Sequence, residues 1–135
     1  MSPSPASRIR TANAALLAEG EVDSIGEHFT PGYVAHLTGR DAIRGHGAIR
    51  RYVRALRRSF PDLRVEVEIL VEGRDRVAWQ RTLRGTHRAA YAGFPATGRR
   101  IVWRDLLASR FEKGRIAEEW AVSDLAERLL RARKR

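Results

Sequence analysis

The hydrophobic period of this chain changes at Pro61 and Asp62, and that change decides most of what the chain can fold into. Before it, apolar residues recur at helical spacing. Ile49, Tyr52, Val53, Leu56 and Phe60 make one stripe, which predicts a helix from about His46 to Phe60 with arginines on its other face. Ile9, Ala12, Leu16 and Leu17 predict a first helix from Ile9 through Ala18, stopped at Gly20. Val22 to Phe29 reads as a short second helix ended by Pro31 and Gly32. After Pro61 the period falls to two. Val65, Val67, Ile69 and Val71 alternate with Arg64, Glu66 and Glu68, a half-buried strand over Arg64 to Val71. The Glu72-Gly73-Arg74-Asp75 turn leads into a strand from Arg76 to about His87. A loop around Pro95 precedes a long strand from about Arg99 to Phe111, and Glu112-Lys113-Gly114 turns into a last strand, Arg115 to about Val122. Asp124 to Arg135 reads as a C-terminal helix.

Helices followed by a meander of long antiparallel strands make an α+β domain with a curved sheet wrapped over the helices. At 135 residues one domain is expected, with about residues 1–7 and 131–135 frayed. A hydrophobic fraction of 43% provides a core, and the absence of Cys removes disulfide frameworks, thiolate zinc sites and thiol catalysis. Met1 to Arg10 is Ser/Pro-rich and then basic, without a signal-like apolar stretch, and no segment approaches the roughly 18 apolar residues of a membrane span. A cytoplasmic protein without a membrane partner is the expectation.

Lys+Arg number 26 against 16 Asp+Glu, a net charge of +10. Nearly all of it is arginine, Lys113 and Lys134 being the two lysines, as a GC-rich coding bias would produce. Arg50, Arg51, Arg54, Arg57 and Arg58 share the third helix, and Arg128, Arg131, Arg133, Lys134 and Arg135 close the chain. No nucleic-acid motif accompanies them. The helix stripe is what remains once its apolar side is committed to a core, so a solvated face is preferred to a nucleic-acid surface.

Several words of the sequence coincide with those of a known family. They are Phe-Thr-Pro-Gly-Tyr-Val-Ala-His at 29–36, Phe-Pro-Asp-Leu-Arg at 60–64, Leu-Arg-Gly-Thr-His at 83–87, Gly-Phe-Pro-Ala-Thr-Gly-Arg-Arg at 93–100 and Glu-Lys-Gly-Arg-Ile-Ala-Glu-Glu-Trp at 112–120. The chain resembles the SnoaL-like polyketide cyclases (ester cyclases) of the nuclear-transport-factor-2-like superfamily. The resemblance implies a cone-shaped NTF2-like fold, N-terminal helices packed on a curved antiparallel sheet, with a pocket between them. It also implies a cofactor-free domain acting on a hydrophobic small molecule and paired as a homodimer through the outer face of the sheet. In cyclases of this family an aspartate in the last strand is the acid/base for aldol closure. Here that position is Ala121, and a companion position usually holding a pocket histidine is Leu107.

The chemistry therefore needs another carboxylate. Alternation puts Ile101, Trp103, Asp105 and Leu107 on one strand face and Val102, Arg104 and Leu106 on the other, so Asp105 shares the face of Leu107. Burial raises a carboxyl pKa toward useful proton transfer at neutral pH, which makes Asp105 the first candidate for a relocated base. The plainer reading pairs it with an arginine such as Arg81. Asp124 is either a second catalytic acid at the pocket mouth or the N-cap of the last helix, with Glu127 completing a capping box. His36, Tyr33, His87 and Arg81 are candidate donors to a substrate carbonyl or enol oxygen, and His28 and His46 are expected to face solvent. Tyr52, Trp79, Trp103, Leu107, Trp120 and Ala121 are candidate substrate-wall residues, together with Phe94; ordinary core packing is the alternative for about half of them. Histidine spacing gives no metal site, and no Gly-rich phosphate cradle, Ser nucleophile motif or dinucleotide fingerprint is present. Cofactor-independent proton abstraction with aldol-type cyclisation or isomerisation is the leading expectation. Epoxide hydrolysis through Asp105 and Asp124, and a non-catalytic binding or dimerisation domain, stand as alternatives.

Overall fold

The computed structural model describes residues 3–133. Helix α1, Pro5–Asn13, is opened by the Ser4 hydroxyl, which accepts the Ser7 N–H, and by Pro5 in its first turn. It widens into a π-helical turn, Ala14–Ala18, before Gly20 reverses the chain at φ 71°. A 3-10 turn, Val22–Ser24, leads to α2, Ile25–His28. Strands β1 (Phe29–Leu37) and β2 (Ile43–Arg44) precede the long helix α3, His46–Ser59. Four strands then follow, β3 (Arg64–Glu72), β4 (Arg76–Thr86), β5 (Arg100–Glu112) and β6 (Arg115–Ser123), and α4, Leu125–Arg133, ends the described chain.

The second half follows the period of two closely. Strands β3 to β6 form an antiparallel meander whose inner face is mostly apolar, with a few buried polar residues, and whose outer face is polar or half-exposed. The first half differs from expectation. The second helix ends at His28, and residues 29–37 are a strand that pairs in parallel with β6, so the six-stranded sheet is mixed, in the order β2-β1-β6-β5-β4-β3. The reason lies in Pro31 and Gly32. Both break helix, and Pro31 has no N–H for a ladder, so the β1 register shifts between Phe29 and Val34 and regular pairing resumes at Val34↔Glu118. Residues 5–7 and 131–133, where fraying is expected, lie in helices; Lys134 and Arg135 of the basic tail lie outside the described residues.

The core is the space between helices and sheet. Ile9, Leu16 and Leu17 from the N-terminal helix and Val53, Leu56 and Phe60 from α3 pack on Val77, Trp79, Leu83, Trp103 and Leu107. At roughly 1.5–3 kcal/mol for each large buried side chain, this contact holds the sheet curved over the helices. At the narrow end the approach is close enough to require glycine: a Cβ on Gly85 would lie 2.9 Å from Phe60 Cβ. Asp62 ties the turn before β3 to the end of β4, accepting from the Thr86 N–H at 2.7 Å and its hydroxyl at 2.8 Å. Some arginines are also structural. Arg57 donates to the Leu17 and Ala18 carbonyls and so holds the π-helical turn onto α3, and Arg10 reaches the Val67 carbonyl. Among the described residues no helix is long and apolar enough to cross a membrane.

Candidate active site

Where the helices do not fill the concave face of the sheet, a cavity of about 610 Å³ remains. Its walls are mostly apolar, with α4 covering one side through Leu125 and Leu129. Cross-strand register builds its polar floor. Arg81 of β4 stands opposite Asp105 of β5, Leu107 opposite both Trp79 and Ala121, and Ser109 of β5 opposite Glu119 of β6. Period-two alternation turns all of these inward.

Arg81 is the centre of the floor. Its Nε donates to Asp105 Oδ2 at 2.8 Å, one terminal nitrogen to Asn13 Oδ1 at 2.9 Å, and the other to the Tyr52 hydroxyl at 3.2 Å. Its guanidinium carbon lies 5.4 Å from the ring centre of Trp79. Burial alone would lower the Arg81 pKa, but the oxygens of Tyr52, Asp105 and Glu119 more than offset this, and it stays charged. Asp105 is only 4% exposed, and its Oδ1 is sealed from solvent with no hydrogen-bond partner. A buried carboxylate held by a cation on one oxygen and unpartnered on the other is a candidate proton acceptor. Both readings of Asp105 are thus realised together: it pairs with Arg81 and it lines the cavity.

A second carboxylate, absent from the sequence-based candidates, lies on the same floor. Glu119 is 7% exposed and accepts from the Tyr33 hydroxyl at 2.6 Å and from the Ser109 hydroxyl, which in turn accepts from Trp79 Nε1 at 2.9 Å. Burial pushes the Glu119 carboxyl above its ordinary value of 4.5, while the Ser109 and Tyr33 donors and the charge of Arg81 pull it back. Burial likewise raises the hydroxyls of Tyr33 and Tyr52, keeping both protonated. Parity would have found Glu119, since it sits two residues before Ala121 and must share its face. Asn13 carried no such signal, because only the tertiary fold brings α1 over β4.

The Glu119 shift has a consequence for stability. A raised carboxyl favours the folded state fully below the unfolded value near 4.5, and this is lost as pH climbs toward the folded value. Glu119→Gln is therefore expected to give a shallower fall in melting temperature than the parent as pH rises above about 4.5. Circular-dichroism melts across that range check this; equal slopes would contradict it.

Tyr33, Tyr52, Trp79, Arg81, Trp103, Leu107, Ala121 and Phe94 line the cavity, as does Tyr91, which the sequence did not single out. Four other candidates are elsewhere. His36 and Trp120 stack on the outer face of the sheet, with the His36 ring nitrogen 2.6 Å from Glu118 and Trp120 39% exposed; both have the opposite strand parity to Ala35 and Ala121. His87 is fully buried but packs behind the cavity against Phe60, its Nδ1 receiving the Thr97 N–H. Asp124 neither enters the cavity nor caps α4 with its side chain. Its carboxylate accepts the Arg104 N–H at 2.8 Å and pairs with Arg128, while Ser123 accepts the Leu125 N–H. The Asp105–Asp124 pair needed for the hydrolase alternative does not form. His46, expected in solvent, is half-buried with its ring nitrogen against the Phe29 and Thr30 carbonyls.

Helices packed on a curved six-stranded mixed sheet over an apolar cavity make an NTF2-like fold. The family model for SnoaL-like polyketide cyclases matches residues 7–131, and the chain belongs to that family. Among solved structures it is similar to IdmH from Streptomyces antibioticus, assigned as a polyketide cyclase, with 28% identity, 97% of this chain and 99% of that chain covered, and a TM-score of 0.78. It is equally similar to AclR from Streptomyces galilaeus, assigned as a hydroxylase, at 28% identity, 98% and 99% coverage and a TM-score of 0.78. A SnoaL-like protein from Jannaschia sp. CCS1, assigned as a polyketide cyclase, follows at 25% identity, 94% and 93% coverage and a TM-score of 0.75. No curated protein matches the sequence.

Proposed function

We propose that the chain is an acid/base enzyme that removes a proton α to a carbonyl of a flat, hydrophobic, polyketide-like molecule and directs aldol-type closure or isomerisation. The observation that carries this reading is Asp105, a buried carboxylate with one oxygen unpartnered, among the residues that line a mostly apolar cavity. The bond changes are as follows. Asp105 Oδ1 takes the α proton, and the C–H electron pair becomes an enolate. The enolate oxygen is met by the Tyr52 hydroxyl, which accepts from Arg81 and so keeps its own proton free to donate. In cyclisation the enolate carbon attacks a second carbonyl carbon and the resulting alkoxide recovers the proton from Asp105. In isomerisation that proton returns to a different carbon. Family membership and the assignment of IdmH as a polyketide cyclase favour the same chemistry. The test is proton exchange at the α carbon of bound 2-tetralone in heavy water, followed by NMR, in the parent and Asp105→Asn.

The working unit is a homodimer paired through the outer face of the sheet. Val102 and Leu106 on β5 and Trp120 and Val122 on β6 are exposed there, bordered by Arg104, Arg110, Glu66 and Glu118. An apolar strip with both signs of charge at its border is self-complementary about a two-fold axis. Light scattering of the parent should give twice the chain mass of 15.3 kDa, and Leu106→Arg should give the chain mass. A monomeric parent would overturn the pairing.

A further inference from the structure

Aldol closure develops charge on two oxygens, and Tyr52 serves only one of them. With its own oxygen accepting from Arg81, Tyr52 meets the enolate; the carbonyl that is attacked becomes an alkoxide and needs a donor of its own. Tyr91 is placed to supply it. Its side chain lines the cavity, half-buried, and among the described residues its hydroxyl has no hydrogen-bond partner. Unlike Asp105 Oδ1, that hydroxyl is not sealed from solvent. It also belongs electrically to the floor, since the charges of Asp105 and Arg81 act on Tyr91 and Tyr91 acts on Tyr52. Burial and Asp105 hold the phenol above its ordinary pKa against Arg40 and Arg81, so it keeps its proton.

The local backbone fixes where this hydroxyl stands. Tyr91 and Phe94 exchange backbone hydrogen bonds of 2.9 and 2.8 Å across Ala92 and Gly93, which are both at positive φ, 48° and 86°. That is the pattern of a type I′ turn, and it sets Tyr91 and Phe94 opposite one another. Alanine is strained at such a φ, and the strain persists only where the surroundings enforce it. Here they do. The Arg88 N–H donates to the Ser59 carbonyl, the Ser59 hydroxyl donates to the Ala90 carbonyl at 3.0 Å, and the Tyr91 ring lies 6.3 Å from that of Phe60. The short hairpin is thus tied to the end of α3, with an exposed tip and with Tyr91 and Phe94 in the cavity wall.

We infer that Tyr91 is a further catalytic residue, donating to the oxygen of the carbonyl under attack, so that the cavity closes dicarbonyl ligands rather than isomerising monoketones. The inference rests on the proposed function and chooses between its two branches, since isomerisation makes no second oxyanion. Asp105 still takes the α proton and returns it to the alkoxide. As the C–C bond forms and the carbonyl π pair moves to oxygen, the Tyr91 hydroxyl strengthens its hydrogen bond to that oxygen and keeps its own proton.

Two probes separate these roles. 2-Tetralone carries one carbonyl and reports α-proton exchange alone, whereas 2-(3-oxobutyl)-1-tetralone carries two and closes to a fused ketol. Both are followed by NMR with the full chain and with Tyr91→Phe, which keeps the ring against Phe60 and removes only the hydroxyl. The variant should close the diketone with kcat about 10²-fold lower and KM raised by less than about tenfold, while exchanging 2-tetralone within about twofold of the parent. Equal losses in closure and exchange would make Tyr91 a support of the whole floor and overturn the inference. A rise in KM with kcat unchanged, or no change with either probe, overturns it as well. A parent that exchanges 2-tetralone but does not close the diketone overturns the inference and leaves the proposed acid/base site standing. A parent that does neither overturns both.

Discussion

Asp105→Asn is expected to slow enzyme-dependent α-proton exchange of 2-tetralone by about 10²- to 10⁴-fold, the usual contribution of a positioned general base. The substitution is close to isosteric. An asparagine oxygen still accepts from Arg81 Nε, now 2.8 Å from the carboxylate, so the floor keeps its packing. What is lost is the basic lone pair at Oδ1, the oxygen without a hydrogen-bond partner. Because Tyr52 is polarised by Arg81 and not by Asp105 directly, its donation to the enolate oxygen should persist, and binding of the ketone should change much less than exchange. Unaltered exchange in Asp105→Asn would remove the residue from the chemistry; loss in Glu119→Gln instead would move the base to β6. A parent without catalysed exchange would count against carbon-acid chemistry altogether.

The largest expected effect on stability belongs to Arg81. Arg81→Met keeps much of the stem that packs over Trp79 but removes the cation between Asp105 and Glu119. Breaking a buried pair by deleting one partner costs about 3–5 kcal/mol, because the remaining charge is stranded in low dielectric. The side chains involved are 13% and 6% exposed, so solvent screening gives little relief. Without Arg81 the carboxyl of Glu119, already raised by burial, rises further and takes up a proton more readily, so the deficit of Arg81→Met should be largest at neutral pH and above and shrink as pH falls. Urea denaturation at several pH values measures it. A deficit under about 1 kcal/mol, or one indifferent to pH, would show that water reaches the floor and that the pair is not a buried one.

The parts of this fold legible in the sequence are those whose signal is local. Val65 to Ile69 and Ile101 to Leu107 declare their inner faces by alternation, and the α3 stripe from Ile49 to Phe60 declares its buried side; Val71, expected on the inner face, is 66% exposed because the register shifts between Ile69 and Val71. Asp105 inherits its inward direction from that alternation. Strand β1 was hidden because its partner is remote: His36 pairs with Trp120, and nothing near Pro31 and Gly32 announces a strand. That error carried into the site. With no strand expected at 33–36, His36 and Tyr33 had no assigned faces, and the structure sends them to opposite sides of the sheet. Trp120 misled for another reason. Its size favours a wall, but parity places it beside His36 on the outer face, and parity governs direction. Asp124 was read as a pocket acid or the cap of α4, and its carboxylate is neither, because the Arg104 N–H that it accepts comes from β5, twenty residues away in sequence.

The parallel pairing of β1 with β6 also bears on how the site comes into being during folding. Strands β3 to β6 are sequence neighbours joined by short turns or a single loop, and can associate early. Strand β1 must close a loop of some eighty residues before Tyr33 meets Glu119, and the entropy of that closure is opposed only once the long-range contacts form. Ligand-binding competence is therefore expected to follow formation of the β3–β6 meander. In a refolding experiment, probe binding should lag behind the far-ultraviolet signal of the sheet.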